Sequence, residues 1–503
     1  MTPGEAPGVV DLLIVGGGIN GAGIARDAAG RGLSVLLVEQ EDLASYTSSA
    51  STKLIHGGLR YLEYGEFRLV RESLIERERL LGMAPHIIRP LAFVVPQAHS
   101  PRPAWLVRLG LFVYDHLGGR RKLPATRTIN LACSPLGDGL KPGAGTAFVY
   151  ADCAVDDARL VVLNAIDAAA RGGRIATRTR FVSARRQGGL WHAVLADREG
   201  HRTVRASALV NAAGPWVDDV LGRLPDVHCN RGARLVKGSH IVVPRLYDGE
   251  HAFVLQNHDK RVVFAIPYED RFTLIGTTDQ PWAGPPAHAT IDPAETAYLC
   301  ETVGRTFARP VTPADVVWSY AGIRPLYDDH AANASAVTRD YVLHLDAEAG
   351  AAPVLSVFGG KITTFRRLGE HALAKLAPFF PAATGAWTAG AVLPGGDIPD
   401  GDIAGFFAAL VAERPGLPEP LLRRLARAYG TRVRDVLGAA ANPAELGADL
   451  GGGLHEAELG YLAAHEWART AEDVLWRRSK LGLHVPPETA AAVDAWMRAN
   501  CVA

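Results

Sequence analysis

The chain has 503 residues, of which 48% are hydrophobic and 21% are charged, so it can form about three domains with a large buried core. Lysine plus arginine and aspartate plus glutamate both number 53, and this balance argues against a general nucleic-acid-binding protein. The five cysteines include no Cys-x-x-Cys pair, so we expect a reducing compartment, no disulfide framework and no metal centre. The sequence also predicts no signal peptide and no membrane-spanning helix.

The first forty residues have the pattern of a nucleotide-binding βαβ unit. Its parts are a strand at 9–15, Gly16, Gly18 and Gly21 at G-x-G-x-x-G spacing, a helix at 22–31, a strand at 34–38 and then Glu39. In such a unit the glycines allow a tight turn, the approach of a pyrophosphate to backbone N–H groups and close helix packing, while the acid accepts hydrogen bonds from a ribose. We predict a dinucleotide site here; a glycine-rich turn with only a structural use is the alternative.

Three later segments extend this site. The loop at 45–58 is rich in small hydroxyl residues and ends in a glycine pair, which favours the long cofactor FAD over NAD; a polar surface loop is the alternative. Small residues after a buried strand that ends at 210 suit a second close approach to the nucleotide. A strand at 354–358, two glycines and a helix from 362 place a helix N-terminus near the flavin. The predicted cofactor-binding residues are Gly16, Gly17, Gly18, Ile19, Asn20, Gly21, Glu39, Gln40, Ser48, Ser49, Ser51, Thr52, Gly57, Gly58, Ala213, Gly214, Trp216, Gly359, Gly360, Lys361 and Ile362.

The remaining patterns predict an α/β protein with a Rossmann-like FAD-binding domain, an antiparallel-sheet substrate (cap) domain and a small all-α C-terminal domain. Short strands and turns at 240–279 predict the antiparallel sheet, which can form the wall of a substrate pocket. Aromatic and apolar residues flanked by cations at 100–122 are typical of an interfacial helix on an anionic membrane; a buried helix with a basic end is the alternative. The predicted ranges are 9–95, 151–232 and 346–392 for the FAD-binding domain, 96–150 for a cap or membrane-contact segment, 233–345 for the substrate domain and 398–503 for the helical domain.

Seven longer motifs follow one another along the chain. They are Gly16-Gly17-Gly18-Ile19-Asn20-Gly21-Ala22-Gly23-Ile24, Ser48-Ser49-Ala50-Ser51, Lys53-Leu54-Ile55-His56-Gly57-Gly58-Leu59-Arg60-Tyr61-Leu62-Glu63, Lys237-Gly238-Ser239-His240, Ile275-Gly276-Thr277-Thr278-Asp279, Gly322-Ile323-Arg324-Pro325-Leu326 and Ser356-Val357-Phe358-Gly359-Gly360-Lys361. Together they resemble the bacterial aerobic (respiratory) FAD-dependent glycerol-3-phosphate dehydrogenases, and the resemblance extends over nearly the whole chain.

This resemblance implies oxidation of sn-glycerol 3-phosphate to dihydroxyacetone phosphate, with FAD as the cofactor and a membrane quinone as the electron acceptor. It implies a fold like that of the D-amino-acid-oxidase group. It also implies a cytoplasmic protein bound peripherally to the inner membrane surface, and it leaves a homodimer open.

The implied reaction requires a site for a phosphate dianion and an acceptor for the alcohol proton. Arginine and lysine side chains in the matched motifs suit the phosphate, because a guanidinium binds it through two hydrogen bonds and stays charged. Arg324 alternatively stabilises the developing alkoxide, which would make it a catalytic residue. The predicted substrate-binding residues are Arg60, Tyr61, Arg324, Arg339, Lys361 and Thr364.

Histidine is the expected proton acceptor, because its pKa lies near neutrality. Of the 17 histidines, His56 and His240 stand inside the matched motifs. His56 is preferred because it precedes a glycine pair in the predicted flavin loop, and His240 is the alternative. Three other functions stay open: a glycerol-3-phosphate oxidase that uses oxygen, an amine or amino-acid oxidase, and a non-catalytic flavin sensor. The phosphate-type cations argue against the amine or amino-acid oxidase.

Overall fold

The computed structural model describes residues 8–98, 100–119, 122–229, 231–259, 261–328, 340–348 and 350–501. Within them, the strands are β1 (Val10–Val15), β2 (Val35–Val38), β3 (Leu54–Ile55), β4 (Ile88–Pro96), β5 (Arg127–Asn130), β6 (Thr146–Val155), β7 (Arg174–Ala176), β8 (Arg180–Gln187), β9 (Leu190–Asp197), β10 (Gly200–Asn211), β11 (Ala233–Pro244), β12 (Ala252–Gln256), β13 (Val262–Tyr268), β14 (Phe272–Gly276), β15 (Gln280–Pro281), β16 (Trp318–Tyr327), β17 (Val342–Asp346) and β18 (Val354–Phe358). The α-helices are α1 (Ile19–Gly30), α2 (Phe67–Met83), α3 (Ala104–Leu117), α4 (Asp157–Ala170), α5 (Val217–Leu221), α6 (Pro293–Thr306), α7 (Phe365–Leu376), α8 (Ile403–Glu413), α9 (Glu419–Tyr429), α10 (Val433–Leu437), α11 (Glu456–His465) and α12 (Glu488–Asn500).

A mainly parallel sheet contains the βαβ unit for which the sequence predicts nucleotide binding. β7, β2, β1, β10 and β18 lie side by side in parallel, while β17 and the β8–β9 hairpin add antiparallel strands. Both faces of β1 are buried, which explains its nearly continuous run of apolar residues. Leu12 and Ile14 pack in the core with α1, α4 and α7, and Leu13 and Val15 pack in the core with the β8–β9 hairpin.

A second, mainly antiparallel sheet forms the cap, and it has the order β15-β11-β14-β13-β12-β4-β6-β3, with β16 paired to β11 and β5 to β6. It includes the short antiparallel strands that the sequence predicts at 240–279. It also includes β3, β4, β5 and β6, although β3 and nearly all of β4 fall in the range predicted for the first FAD-binding part. Conversely, all but the last residue of β17 falls in the predicted substrate range, but β17 pairs with β18 in the first sheet. None of these five strands was predicted individually from the sequence, and hydrophobic periodicity does not show which strands pair.

The C-terminal helices α8 to α12 enclose a separate apolar core. Buried ion pairs connect this helical domain to the first sheet and its helices. Arg159 of α4 bonds to Glu466, and Arg478 bonds to Asp42 at 2.7 Å, with both arginine side chains at most 1% exposed. The architecture agrees with the predicted fold class: a mainly parallel α/β sheet, an antiparallel cap sheet and an all-α C-terminal domain.

Candidate active site

The turn between β1 and α1 requires glycine at two positions. Gly16 has a φ of 113°, and a Cβ added there would lie 2.5 Å from the carbonyl oxygen of Ala212. A Cβ added at Gly21 would lie 1.9 Å from the carbonyl oxygen of Gly16. Helix α1 begins at Ile19, three residues before its predicted start, so Gly21 lies in its first turn. Because glycine has no side chain at these two positions, the helix N-terminus can lie directly against the ends of β1 and β10.

Glu39 and Ser48 complete the surroundings of this turn. The backbone N–H of Gly17 donates to Glu39 at 2.7 Å, and that of Ile19 donates to the Ser48 hydroxyl at 3.0 Å. Burial raises the pKa of Glu39 because the charged form loses solvation. A carboxylate in this position can hold the turn with one oxygen and accept hydrogen bonds from a ribose with the other.

Asn20 connects the glycine turn at 16–21 to the glycine turn at 359–360. Its Nδ2 donates to the carbonyl oxygen of Gly359 at 3.1 Å, although the two residues are 339 positions apart in the chain. Gly360 has a φ of 104°, and a Cβ added there would lie 2.8 Å from Asn20 Nδ2. Asn20 Oδ1 is buried and has no hydrogen-bond partner among the described residues. A buried acceptor beside two glycine turns fits a cofactor that carries hydroxyl donors, as the ribityl chain of FAD does.

One cavity connects these features, and many of the predicted cofactor-binding residues line it. They are Gly16, Gly18, Ile19, Asn20, Glu39, Gln40, Ser48, Ala213, Gly214, Trp216, Gly359 and Gly360. Thr47, Phe181 and Pro325 line the same cavity, but no sequence signal distinguished these three residues individually.

The other predicted cofactor residues do not line this cavity. Gly17 and Gly21 shape the turn behind it, Thr52 and Gly58 line a second cavity, and Ser49, Gly57, Lys361 and Ile362 line neither. Ser51 lines neither cavity either, and its hydroxyl bonds to Asp157 at 2.7 Å. Asp157 also binds the buried Lys53 ammonium at 2.9 Å, so Ser51 belongs to a polar cluster at the start of α4.

The second cavity has a volume of about 660 Å³ and gathers much of the predicted substrate site. It is lined by Thr52, His56, Arg60, Tyr61 and Arg324, together with residues of α3 and the cap sheet. The loop at 45–58 joins the two cavities, since Ser48 lines the first and Thr52 and His56 line the second.

The two candidate histidines differ in their access to this cavity. His56 lines it, and burial together with the nearby Lys361 and Arg77 charges lowers its pKa to about 4. His240 is only 1% exposed, stacks on Tyr320 and does not line the cavity. Its Nε2 lies 3.0 Å from the Thr52 hydroxyl, so it reaches the cavity only through Thr52. Burial lowers the pKa of His240 as well, and both rings are therefore neutral at pH 7.

Arg324 lines the cavity, and two residues in the segment between β14 and β15 orient it. Its guanidinium bonds to Asp279 and donates to the Thr277 hydroxyl at 2.9 Å. The predicted motif at 275–279 contained both partners, but their role as a support for Arg324 was not predicted. This orientation keeps a guanidinium directed at the space where an anion would bind.

The remaining predicted substrate residues occupy different positions. The Lys361 ammonium lies 3.7 Å from the ring centre of Tyr61, so it is close to the second cavity without lining it. Thr364 is fully buried and lines neither cavity. It lies in the 3₁₀ turn at Ile362–Thr364, which directly precedes α7. Arg339 lies outside the described residues.

Two further arginines line the second cavity. Arg102 donates to Gln256 at 2.9 Å and also bonds to Glu63, and Arg261 pairs with Asp259 at 2.7 Å. The sequence had indicated Arg102 only as one of the cations at 100–122 and Arg261 only as the start of a strand. Nothing in their local patterns distinguishes them from surface arginines, because only the packing of α3 against the cap sheet brings them to this cavity.

Two family matches account for most of the chain. Residues 11–366 match the family described as FAD dependent oxidoreductase, and residues 386–499 match the C-terminal domain of alpha-glycerophosphate oxidase. The chain belongs to the FAD-dependent oxidoreductase family. The prediction of FAD as the cofactor is thereby confirmed.

This FAD-dependent oxidoreductase has close relatives over its full length. It is 54% identical to a glycerol-3-phosphate dehydrogenase of Pseudomonas aeruginosa, over 98% of this chain and 96% of the relative. It is 53% identical to a D-erythritol 1-phosphate dehydrogenase of Brucella abortus, over 99% of each chain. It is also similar to the solved structure of a glycerol-3-phosphate dehydrogenase from Bacillus halodurans complexed with FAD, with a TM-score of 0.79, 27% identity and coverage of 99% and 91% of the two chains. The resemblance inferred from the motifs is confirmed.

Proposed function

We propose that this oxidoreductase converts sn-glycerol 3-phosphate to dihydroxyacetone phosphate. The proposal rests on the 660 Å³ cavity, which is lined by His56, Arg60, Tyr61 and Arg324 together. This set combines a neutral imidazole with cations suited to a phosphate dianion. The name of the Pseudomonas aeruginosa relative supports the same substrate.

Each side chain has its own part in the proposed reaction. Arg324 and Arg60 bind the phosphate, and bound FAD supplies the acceptor for the hydride. His56 accepts the alcohol proton on a ring nitrogen, since burial keeps the ring neutral at pH 7. A dianion bound nearby raises the pKa of His56 and so makes it a better base. His240 acting beside Thr52 is the alternative base, and Arg324 beside the alkoxide is an alternative to its phosphate role. The substrate-binding roles of Lys361, Thr364 and Arg339 stay predictions.

An anaerobic reduction experiment tests the reaction. The purified holoenzyme is mixed with sn-glycerol 3-phosphate in the absence of oxygen, and the yellow flavin absorbance is followed. We expect rapid bleaching with the phosphate ester and at least a 100-fold slower response to glycerol, because glycerol offers no charge to the cations. A flavin that stays yellow with the phosphate ester would instead support the sensor.

D-Erythritol 1-phosphate is a second candidate substrate, and the Brucella abortus relative favours it specifically. It has one more hydroxymethylene group than glycerol 3-phosphate and carries the same phosphate. Measured kcat/KM values for the two esters decide between them. A higher value for the erythritol ester would replace the proposed substrate while leaving the chemistry unchanged.

We also propose that the electrons pass to a quinone at a membrane surface. The outer face of α3 exposes Trp105, Leu106, Leu109 and Phe112, with Trp105 68% exposed. Leu106 and Leu109 also line the 660 Å³ cavity, so the apolar face adjoins the proposed substrate site. Within the described part of the chain, no helix is long and apolar enough to cross a bilayer. The exposed apolar face of α3 suits peripheral attachment at the cytoplasmic face of the membrane.

A pair of charged substitutions tests this attachment. Trp105→Glu combined with Phe112→Glu should abolish co-sedimentation with anionic vesicles and slow quinone reduction, while flavin bleaching by substrate stays unchanged. Phe379→Glu, at an exposed residue on another element, is the control. Hydrogen peroxide formed in stoichiometric yield, without quinone reduction, would support the oxygen-using oxidase instead. The homodimer stays a prediction, which light scattering of the holoenzyme tests.

A further inference from the structure

A hydroxyl group from helix α3 contacts the backbone of the loop that carries His56. The N–H group of Gly57 donates a hydrogen bond to Tyr114 Oη at 2.7 Å, and Tyr114 is only 2% exposed. A Cβ added at Gly57 would lie 2.7 Å from this hydroxyl oxygen and 2.6 Å from Leu74. Glycine at position 57 therefore permits the contact, since any side chain would push Tyr114 away.

A buried ion pair fixes the direction of the Tyr114 hydroxyl. The hydroxyl donates to Asp152 at 2.8 Å, and Arg77 donates to the same carboxylate at 2.6 Å. Asp152 is 1% exposed and Arg77 is 3% exposed. A tyrosine hydroxyl has only one hydrogen to donate. Because Asp152 receives it, the oxygen is left with lone pairs that can accept the hydrogen bond from Gly57.

The same group of residues acts on the His56 ring electrostatically. After burial and Lys361, the charge of Arg77 is the next cause that lowers the pKa of His56. Arg77 is held where it is by Asp152 and by the carbonyl oxygen of Ala151 at 3.0 Å. One buried cluster thus contacts the backbone beside His56 and contributes part of the positive field at its imidazole.

We propose that Tyr114 is a positioning residue, which fixes the backbone at Gly57 and so keeps the His56 imidazole in place at the substrate cavity. The inference rests on the proposed function, because it takes His56 as the proton acceptor. A displacement of about 1 Å at a reacting group costs roughly 100-fold in rate. Loss of the hydroxyl should therefore lower turnover while substrate binding changes little.

The test compares Tyr114→Phe with Tyr429→Phe in the holoenzyme. Tyr429 is a matched control, since its buried hydroxyl donates at 2.7 Å to Glu458, which is itself paired with an arginine, Arg424. Its bond lies in the C-terminal helical domain, away from the loop. The Tyr114→Phe enzyme should have a kcat about 10- to 100-fold lower, a KM within about twofold of wild type and an unchanged FAD content. With substrate deuterated at the carbon that is oxidised, its isotope effect on kcat should rise, because the chemical step becomes slower.

Hydrogen–deuterium exchange supplies a readout that needs no substrate. The Gly57 N–H should exchange about tenfold faster or more in Tyr114→Phe, and at the wild-type rate in Tyr429→Phe. Wild-type exchange and turnover in Tyr114→Phe would overturn the proposal, as would an equal loss of kcat in both variants. If Tyr114→Phe fails to fold, Gly57→Ala takes its place with the same criteria, because a Cβ there would lie 2.7 Å from the Tyr114 hydroxyl and separate it from the backbone. If glycerol 3-phosphate does not reduce wild-type flavin, the proposed function fails, and the exchange rates still decide whether Tyr114 holds the loop.

Discussion

Asn20→Ala should weaken FAD binding, because Asn20 joins two glycine turns that we infer to hold the same cofactor. The substitution removes the 3.1 Å hydrogen bond from Asn20 Nδ2 to the carbonyl oxygen of Gly359. It also removes Oδ1, the buried acceptor that has no partner among the described residues. The turn at 359–360 then loses its direct connection to the N-terminus of α1.

The size of the effect follows from the groups left without partners. Loss of one partner from a buried hydrogen bond costs about 1–3 kcal/mol. This loss destabilises the FAD-bound protein. At about 1.4 kcal/mol for each factor of ten, the Kd for FAD rises roughly 5- to 140-fold. A hydrogen bond from FAD to Oδ1 would add to this change, so the upper half of the range is expected.

Titration of the apoprotein with FAD, followed by the quenching of flavin fluorescence, measures the change. Asn164→Ala is a matched control, because its amide also donates to a carbonyl oxygen, that of Leu160 at 2.7 Å, and its Oδ1 is likewise without a partner in the described structure. Asn164 lies inside α4 and lines neither cavity, so its loss should lower thermal stability without changing the Kd. Equal FAD affinity in Asn20→Ala and wild type would refute the idea that these two turns bind one cofactor.

Three other predictions follow from the site and its surroundings. His56→Ala should lower kcat by a factor on the order of 10² to 10⁴ while FAD stays bound; unchanged turnover at saturating substrate would remove His56 from the reaction. Arg324→Ala should lower kcat/KM for the phosphate ester about 10- to 150-fold through loss of a charge-assisted hydrogen bond, and glycerol, which lacks the anion, serves as the control substrate. Burial lowers the pKa of His86 to about 3, so protonation of the unfolded chain destabilises the fold as the pH falls from about 6.5 towards 3, by up to ~1.4 kcal/mol per pH unit. The Tm of His86→Gln should therefore fall less than that of the wild type between pH 7 and pH 5. Calorimetric Tm values that fall equally in both proteins would contradict this.

The first βαβ unit could be predicted because its signals are local. Strand, glycine spacing, helix and Glu39 all lie within forty residues, and the structure matches them except for the earlier start of α1. Sheet membership could not be predicted in the same way. β4 pairs with β6 across some sixty residues and with β12 across an even longer interval, and periodicity carries no information about a partner.

The candidate site was predictable to the extent that motifs identify chemistry. His56, Arg60, Tyr61 and Arg324 were selected as residue types in matched motifs, and they line one cavity. How deeply a side chain is buried depends on tertiary packing. The sequence therefore could not show that His56 lines the cavity while His240 lies behind it. Nor could it indicate Arg102 or Arg261, which reach the cavity only through the packing of other elements.

The hydrogen bond between Asn20 and Gly359 also has a consequence for biosynthesis. The two residues are 339 positions apart, and the parallel pairing of β10 with β18 is likewise formed across a long stretch of chain. Contacts of such sequence separation form late, because a long loop must close before they stabilise anything. A nascent polypeptide that has not yet emerged from the ribosome beyond residue 360 cannot retain the coenzyme between its two turns. Capture of the flavin between the two turns therefore cannot precede the emergence of residue 360. The preceding part of the chain must avoid aggregation up to that point without stabilisation by the cofactor.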